Sequence, residues 1–551
     1  MMKSLFNKSL LSVIIILFFG CTPTEKIDLI VHNAKVYTVN DIFNITDAIA
    51  INNGKIIAVG PENEIKNKYL AKEYLDAKKR PVYPGFIDAH CHFVGYAKSL
   101  QQVNLVGTTS FNEVLEKVVE FSKTNSNTWI TGRGWDQNDW EVKEYPTKQQ
   151  LDSLFPEQPV CLKRIDGHAA LVNQKALELA NITTSTQIDG GVIEKTNGKL
   201  TGILIDNAVG LITAVIPDFT AQELADALIK AEQDLFKVGL TTVDDAGLNR
   251  MQIETIEQLQ NDSLLKIKVY AMISAKPELF DYYLKEGPYK TERLNVSSFK
   301  FYADGALGSR GACLLEPYSD IIEQKHYGLL IEQQAFYEKH AQQLYDKGFQ
   351  MNTHCIGDSA NRMIMNIYKN VLKTTNDKRW RIEHAQVINP ADFKTFAEYT
   401  IIPSVQPTHA TSDMYWAKDR LGETRVKTAY AYQQLLQQNG LIALGTDFPI
   451  EGINPINTFY AAVARKDVND YPKDGFQPEN ALTREDALKG MTIWAAIANF
   501  EENEKGSIEV GKSADFILLD NDIVTTKENS ILNTKVLATY INGEKVFSTL
   551  K

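Results

Sequence analysis

Between residues 84 and 447 the apolar positions fall into short runs separated by longer amphipathic stretches. Eight runs read as buried parallel strands: Pro84–His90, Leu240–Asp245, Ile267–Ile273, Ser298–Asp304, Phe349–His354, Arg379–His384, Ile401–Gln406 and Leu441–Asp447. Helical periodicity fills most of the gaps, over Ala221–Val238, Met251–Asn261, Gln333–Lys347, Ser359–Leu372 and Thr424–Gln438. Strand and helix in alternation predict a parallel sheet, and eight strands close it into an α/β (β/α)8 TIM barrel. One gap is too long for a loop. Residues 98–218, with aromatic and glycine-rich stretches such as Trp129–Trp135, predict a folded insertion after the first strand, over the catalytic end of the barrel. Both ends of the chain are β-patterned instead: Asp28–Ala34, Ile49–Gly54 and Lys55–Gly60, then Asp515–Asp520 and Val536–Gly543. Asn52-Asn53-Gly54 between two apolar runs is a hairpin signal. Segments 27–83 and 501–551 are therefore expected to build one small β-sandwich, leaving 84–500 to the barrel.

The first twenty residues follow another rule. Lys3 and Lys8 precede or open a continuous apolar run, Leu10 to Phe19, broken only by Ser12. About 20 residues are needed to span a bilayer, so this run suits a signal-peptide core better than a membrane span. Gly20-Cys21 with the polar tether through Lys26 resembles the lipobox of bacterial lipoproteins, although Phe18 is larger than usual there. The expectation is an exported protein, on the periplasmic or outer surface of the cell envelope, touching membrane only through a lipid on Cys21. A plain signal peptide or an uncleaved anchor is the alternative. The net charge of -11 leaves no excess of Lys and Arg for nucleic acid or anionic membrane. The partner expected is a small-molecule substrate, with monomer and homodimer both open. Cys91, Cys161, Cys313 and Cys355 are too scattered for a disulfide framework.

Candidate chemistry gathers at the strand ends. His90 and His92, two residues apart, share one face of a strand, and Lys300, His354, His384 and Asp447 end or lie on strands four, five, six and eight. The C-terminal strand ends of such a barrel converge on its active site. Imidazole with carboxylate suits zinc. A lone strand histidine is ordinarily a hydrogen-bonded core residue, but the chain has nine histidines and four of them stand at these positions. Lys300 offers no lone pair as an ammonium. Either it carries a carbamate that bridges two cations, or it pairs with an acid such as Asp304.

Several motifs together resemble the amidohydrolase superfamily, in its amidohydrolase-3 or YtcJ-like branch, which includes N-substituted formamide deformylases. They are Pro84-Gly-Phe-Ile-Asp-Ala-His-Cys-His92, Asp166-Gly-His168, Lys300 through Arg310, His354-Cys-Ile-Gly-Asp358, Arg381-Ile-Glu-His384, Gln406-Pro-Thr-His409 and Gly445-Thr-Asp-Phe-Pro449. The resemblance implies one or two divalent ions, zinc foremost, with a carbamate on Lys300 where two are bound. The expected reaction is hydrolysis of a non-peptide amide or formamide by metal-activated water. Asp447 would act as proton carrier, and His384 or His409 would assist at the oxyanion. His168, Arg310, Trp135 and Gln406 are candidate substrate contacts, Arg310 as a carboxylate clamp unless it pairs with a neighbouring acid. Trp140, Tyr415 and Trp416 suit either a pocket wall or ordinary packing. The competing readings are a lactone, ester or phosphoester hydrolase on the same site, and a surface-tethered binding protein without turnover.

Overall fold

The computed structural model describes residues 25–124, 128–164, 167, 169–188, 191–321 and 325–550. The signal segment, Cys21, Asp166 and His168 lie outside the described residues. Eight parallel strands form the central sheet in chain order. They are β1 (Phe86–Cys91), β2 (Leu240–Leu248), β3 (Lys268–Ser274), β4 (Leu294–Tyr302), β5 (Gln350–Cys355), β6 (Arg381–His384), β7 (Ile402–Val405) and β8 (Ala443–Leu444). Consecutive strands pair from β1 to β8. The ring is completed by main-chain bonds just past β8: Asp447 N–H donates to His90 O (2.8 Å) and His92 N–H to Phe448 O (2.8 Å). Gly445 permits that approach, because a Cβ there would stand 2.5 Å from His90 N.

Alternation along the strands sorts the side chains. On β4, Phe299 and Phe301 face the helices and join the main apolar core, while Ser298 and Lys300 face the barrel interior. On β6, Ile382 takes the outer role and Arg381 and Glu383 the inner one. Cys91 and Cys355 pack outward in the same core, and the four described cysteines are all free.

The helices Ala221–Lys237 and Arg250–Asn261 begin with capping boxes, Thr220 with Glu223 and Asn249 with Gln252, so each start is fixed locally. The helix expected over Thr424–Gln438 is instead broken into Ala417–Arg425, a 3-10 turn at Val426–Thr428 and Tyr432–Asn439. Between them Tyr430 adopts φ +54°, which delivers its hydroxyl to Asp413 (2.8 Å).

The insertion carries its own six-stranded sheet, from Val103–Asn104 to Lys199–Asp206, and its own core around Trp135, Trp140, Leu162 and Ile203. The two chain ends meet in another six-stranded sheet, where Pro81–Pro84 pairs with Lys35–Val36 on one side and Phe516–Leu518 on the other. Pro84 thus belongs to that sheet rather than to the barrel strand. A four-stranded sheet packs with it through Val31, Ile51, Phe516 and Leu518, giving the small sandwich. Its hairpin Ala48–Gly60 turns at Asn53 (φ +49°) and Gly54 (φ +74°), the two left-handed residues a tight turn requires.

Candidate metal centre

Five strand ends and one following helix bring their polar side chains to a single place. Asp447 stands at the centre: its Oδ1 is 3.2 Å from His92 Nε2 and 3.7 Å from His90 Nε2, and its Oδ2 is 3.5 Å from His409 Nε2. His384 lies against His90 and His354, with ring centroids 4.8 and 4.5 Å apart. Two overlapping trios, His90–His92–Asp447 and His384–His409–Asp447, each offer ligand atoms within 4.8 Å of one another.

Local backbone geometry makes this convergence possible. Strand alternation would turn Glu383 and His384 to opposite faces, yet His384 at φ +73° swings back inward. Asp447 likewise adopts φ +61°, held by its N–H bond to His90 O. Left-handed non-glycine residues cost of order 1–3 kcal/mol each, and here both sit on candidate ligands.

The next layer fixes the rings. Glu383 Oε2 is 2.5 Å from His90 Nδ1, and a carboxylate there makes Nδ1 the donor and leaves the Nε2 lone pair inward. Gln406 Oε1 does the same for His384 Nδ1 at 2.7 Å. Glu383 is in turn gripped by Arg381 (Nε to Oε1, 2.7 Å), which also reaches Asp244 (3.0 Å), Asn499 (3.1 Å) and the carbonyl of Ala89 (2.7 Å). Asp88 accepts from Thr446 N–H and Oγ1 (2.9 and 2.7 Å), tying β1 to the segment that carries Asp447.

Burial keeps three of the imidazoles, those of His90, His354 and His384, neutral, as metal binding requires. Burial, aided by Lys300, lowers His90 to about 4 and His354 to about 3, and burial holds His384 well below its ordinary range. Burial also brings Lys300 down to about 8. Burial opposes ionisation of Asp447, but His92, His90 and His409 outweigh it and hold the carboxyl well below the usual range. Lys300 Nζ bonds to His90 Nε2 at 3.0 Å. Asp304, the acid considered as its partner, instead accepts main-chain N–H groups from Cys313, Ile356 and Gly357 at 2.8, 3.0 and 2.8 Å.

The donor set fits a divalent cation. Asp447 Oδ1, His354 Nε2 and His409 Nε2 are buried without a hydrogen bond, an expensive condition that a shared cation relieves. His90, His92, Lys300, His354, His384, His409 and Asp447 are therefore all assembled here.

The comparisons decide the family. A sequence profile described as the amidohydrolase family matches residues 73–547. The chain belongs to this family. It is 32% identical to the Arabidopsis thaliana protein LONG AFTER FAR-RED 3, over 96% of this chain and 93% of that one. To the YtcJ amidohydrolase of Bacillus subtilis it is 31% identical, over 94% and 98%. To an N-substituted formamide deformylase of Arthrobacter pascens it is 27% identical, again over 94% and 98%. Among solved structures, a metal-dependent hydrolase of Pyrococcus horikoshii superposes with a TM-score of 0.78 at 28% identity, covering 91% of this chain and 99% of that one.

Within this amidohydrolase, three expected substrate contacts stand elsewhere. Trp135 is buried in the insertion core, donating its indole N–H to Leu162 O (2.8 Å). Arg310 is forked onto Asp320 (2.8 and 3.2 Å), not onto the open site. Gln406 serves His384 and does not line the cavity. Of the other aromatics, Trp416 lines the cavity, Trp140 packs in the insertion and Tyr415 is exposed on Asp467. Glu383, Arg381 and Asp88 support the ligands without having been singled out from sequence. Their partners lie hundreds of residues away, and only the Arg381-x-Glu383 spacing, two inward residues on one strand, hints at the pair.

Proposed function

We propose that this amidohydrolase hydrolyses the carbon–nitrogen bond of a non-peptide amide or formamide, using one or two divalent ions, zinc foremost, with Lys300 carbamylated when two are bound. The observation that carries the reading is the convergence of imidazole and carboxylate lone pairs on Asp447, with His354 Nε2 and His409 Nε2 buried and unsatisfied, in a chain similar along its length to a formamide deformylase. His90, His92, His354, His384 and Asp447 would hold the divalent ion, which would supply Lewis acidity and lower the pKa of a water toward about 7. Asp447, ionised across the neutral range, accepts the proton of the attacking water and passes it to the departing nitrogen. His409 adjoins Asp447 and supports the oxyanion, with His384 as the alternative. At neutral pH, Lys300 near about 8 has an appreciable fraction of free amine, the form that adds carbon dioxide.

The test is elemental analysis of protein purified without chelators, followed by a formamide, amide and lactone screen. One to two zinc ions per chain are expected, falling in H90A/H92A. D447N is expected to stay folded and to lose about a hundredfold or more in turnover. No metal uptake after adding zinc with bicarbonate, or wild-type turnover in D447N, overturns the reading.

A further inference from the structure

The ligand cluster opens into a cavity of about 380 Å³, and part of its wall has a charge that hydrolysis does not require. The short helix Pro407–Asp413 enters with His409 beside Asp447 and ends four residues later at Asp413, on the same face one turn on. Asp413 lines the cavity, as does Glu451. Asp413 Oδ2 accepts from Tyr430 OH (2.8 Å) and Gln386 Nε2 (3.0 Å), and no described residue bonds to its Oδ1. Glu451 Oε1 accepts from Ser412 Oγ (2.7 Å). Burial raises the Asp413 carboxyl above its ordinary range, with His409 only partly opposing, as befits a carboxylate lacking a counter-charge.

No cation of the described chain answers these two acids. Lys300 is the one lysine or arginine among the described residues of the wall, and it is bonded to His90. Arg310 and Arg420 both pair with Asp320, and the Arg420 guanidinium also lies over the Trp416 ring at 5.6 Å, so that ring already takes a cation on one side. The Lys98 ammonium lies over the Phe219 ring. Away from the ligand histidines and Asp447, the wall adds Leu307, Ile356 and Ile450, with Trp416 contributing an aromatic ring and Gln386 an amide already bonded to Asp413. Two carboxylates beside an indole make a setting for an organic cation, and a poor one for a carboxylate or phosphate.

We propose that the substrate carries an ammonium or amidinium group that docks between Asp413, Glu451 and Trp416 while its amide reaches the metal centre. This rests on the metal-centred reading above. The substrate class is then acyl or formyl derivatives of diamines and other basic amines, and excludes acylated amino acids and phosphoesters.

Metal-chelating probes test this without turnover. The affinities of 6-aminohexanohydroxamate, hexanohydroxamate and the monohydroxamate of adipic acid would be measured calorimetrically on the zinc-loaded protein. The ammonium probe is expected to bind about tenfold tighter than the alkyl probe, and the carboxylate probe about tenfold weaker. In D413N/E451Q the ammonium-to-alkyl ratio should fall toward one. Equal affinity of the three probes for the wild-type protein overturns the cation subsite and leaves the metal centre standing. Failure of the zinc-loaded protein to bind any of the three overturns this inference alone, whereas failure to take up zinc overturns the metal-centred reading and this inference with it.

Discussion

Replacing Glu383 with Gln asks how much of the metal centre is made by residues that never touch the metal. The side chains of Glu383, Arg381 and His90 are fully buried, so water cannot repair the change. The carboxylate accepts on both sides, from Arg381 Nε at 2.7 Å and from His90 Nδ1 at 2.5 Å. An amide has one acceptor. Arg381 can only donate, so the amide oxygen turns to it and the NH2 faces His90. His90 Nδ1 must then accept, and its proton moves to Nε2, the atom that faces Lys300 and Asp447. The lone pair needed by a metal is lost. Changes of this type cost about 10–100-fold in metal affinity, or about 1.4–2.7 kcal/mol. Fold stability should suffer less than the about 3–5 kcal/mol of a broken buried ion pair, because Arg381 keeps Asp244, Asn499 and Ala89 O. Competition with a chromogenic zinc chelator at pH 7 measures the affinity, and thermal unfolding of the metal-free protein controls for folding. A folded E383Q that binds zinc within about twofold of wild type would refute the tautomer argument.

Lys300 gives the metal-free protein a distinctive pH dependence. Its folded value of about 8 lies below the ordinary 10.5 because of burial, so the unfolded chain binds more protons between those values and stability rises with pH across that window. The stabilising share is complete above about 10.5 and lost as pH falls through about 8. K300M should remove this slope and, at pH 7 with chelator present, stabilise the protein by up to about 3 kcal/mol; chemical unfolding at pH 7, 8.5 and 10 checks both. C21S should abolish incorporation of labelled fatty acid and release the protein from the membrane fraction, and unchanged fractionation would argue against the lipid anchor.

The barrel was legible because its strands are short, continuous apolar runs and its helices longer amphipathic stretches, so that length and pattern together separate the two. The pattern stopped short where the backbone leaves regular geometry. Leu441–Asp447 reads as a strand, but regular pairing covers only Ala443–Leu444: Gly445 N–H still reaches Val405 O (3.0 Å), and Asp447 N–H turns to His90 O instead. His384 was found as a chemical type at a strand end, although alternation would have faced it away from Glu383; the positive φ that reconciles them is invisible in sequence. Trp135 shows the opposite failure. An aromatic near a glycine-rich stretch suits a pocket or a core equally, and what decided it was the insertion's own sheet, which needs something to bury. Asp413 went unnoticed because its significance depends on a helix only seven residues long.

The stitching of β1 to the segment after β8 also sets a timetable. His90 leaves the ribosome 357 residues before Asp447, which at about 5–20 residues per second is roughly 20–70 s of synthesis. Through that interval His90 and His92 wait first for Glu383 and to its end for Asp447, and Pro81–Pro84 still awaits Phe516–Leu518. A nascent chain can bind cations only as loosely as any peptide with a His-x-His pair. For the divalent ion proposed above, the full ligand set exists only once Asp447 has been made, and a chain ending before it lacks the carboxylate shared by both trios.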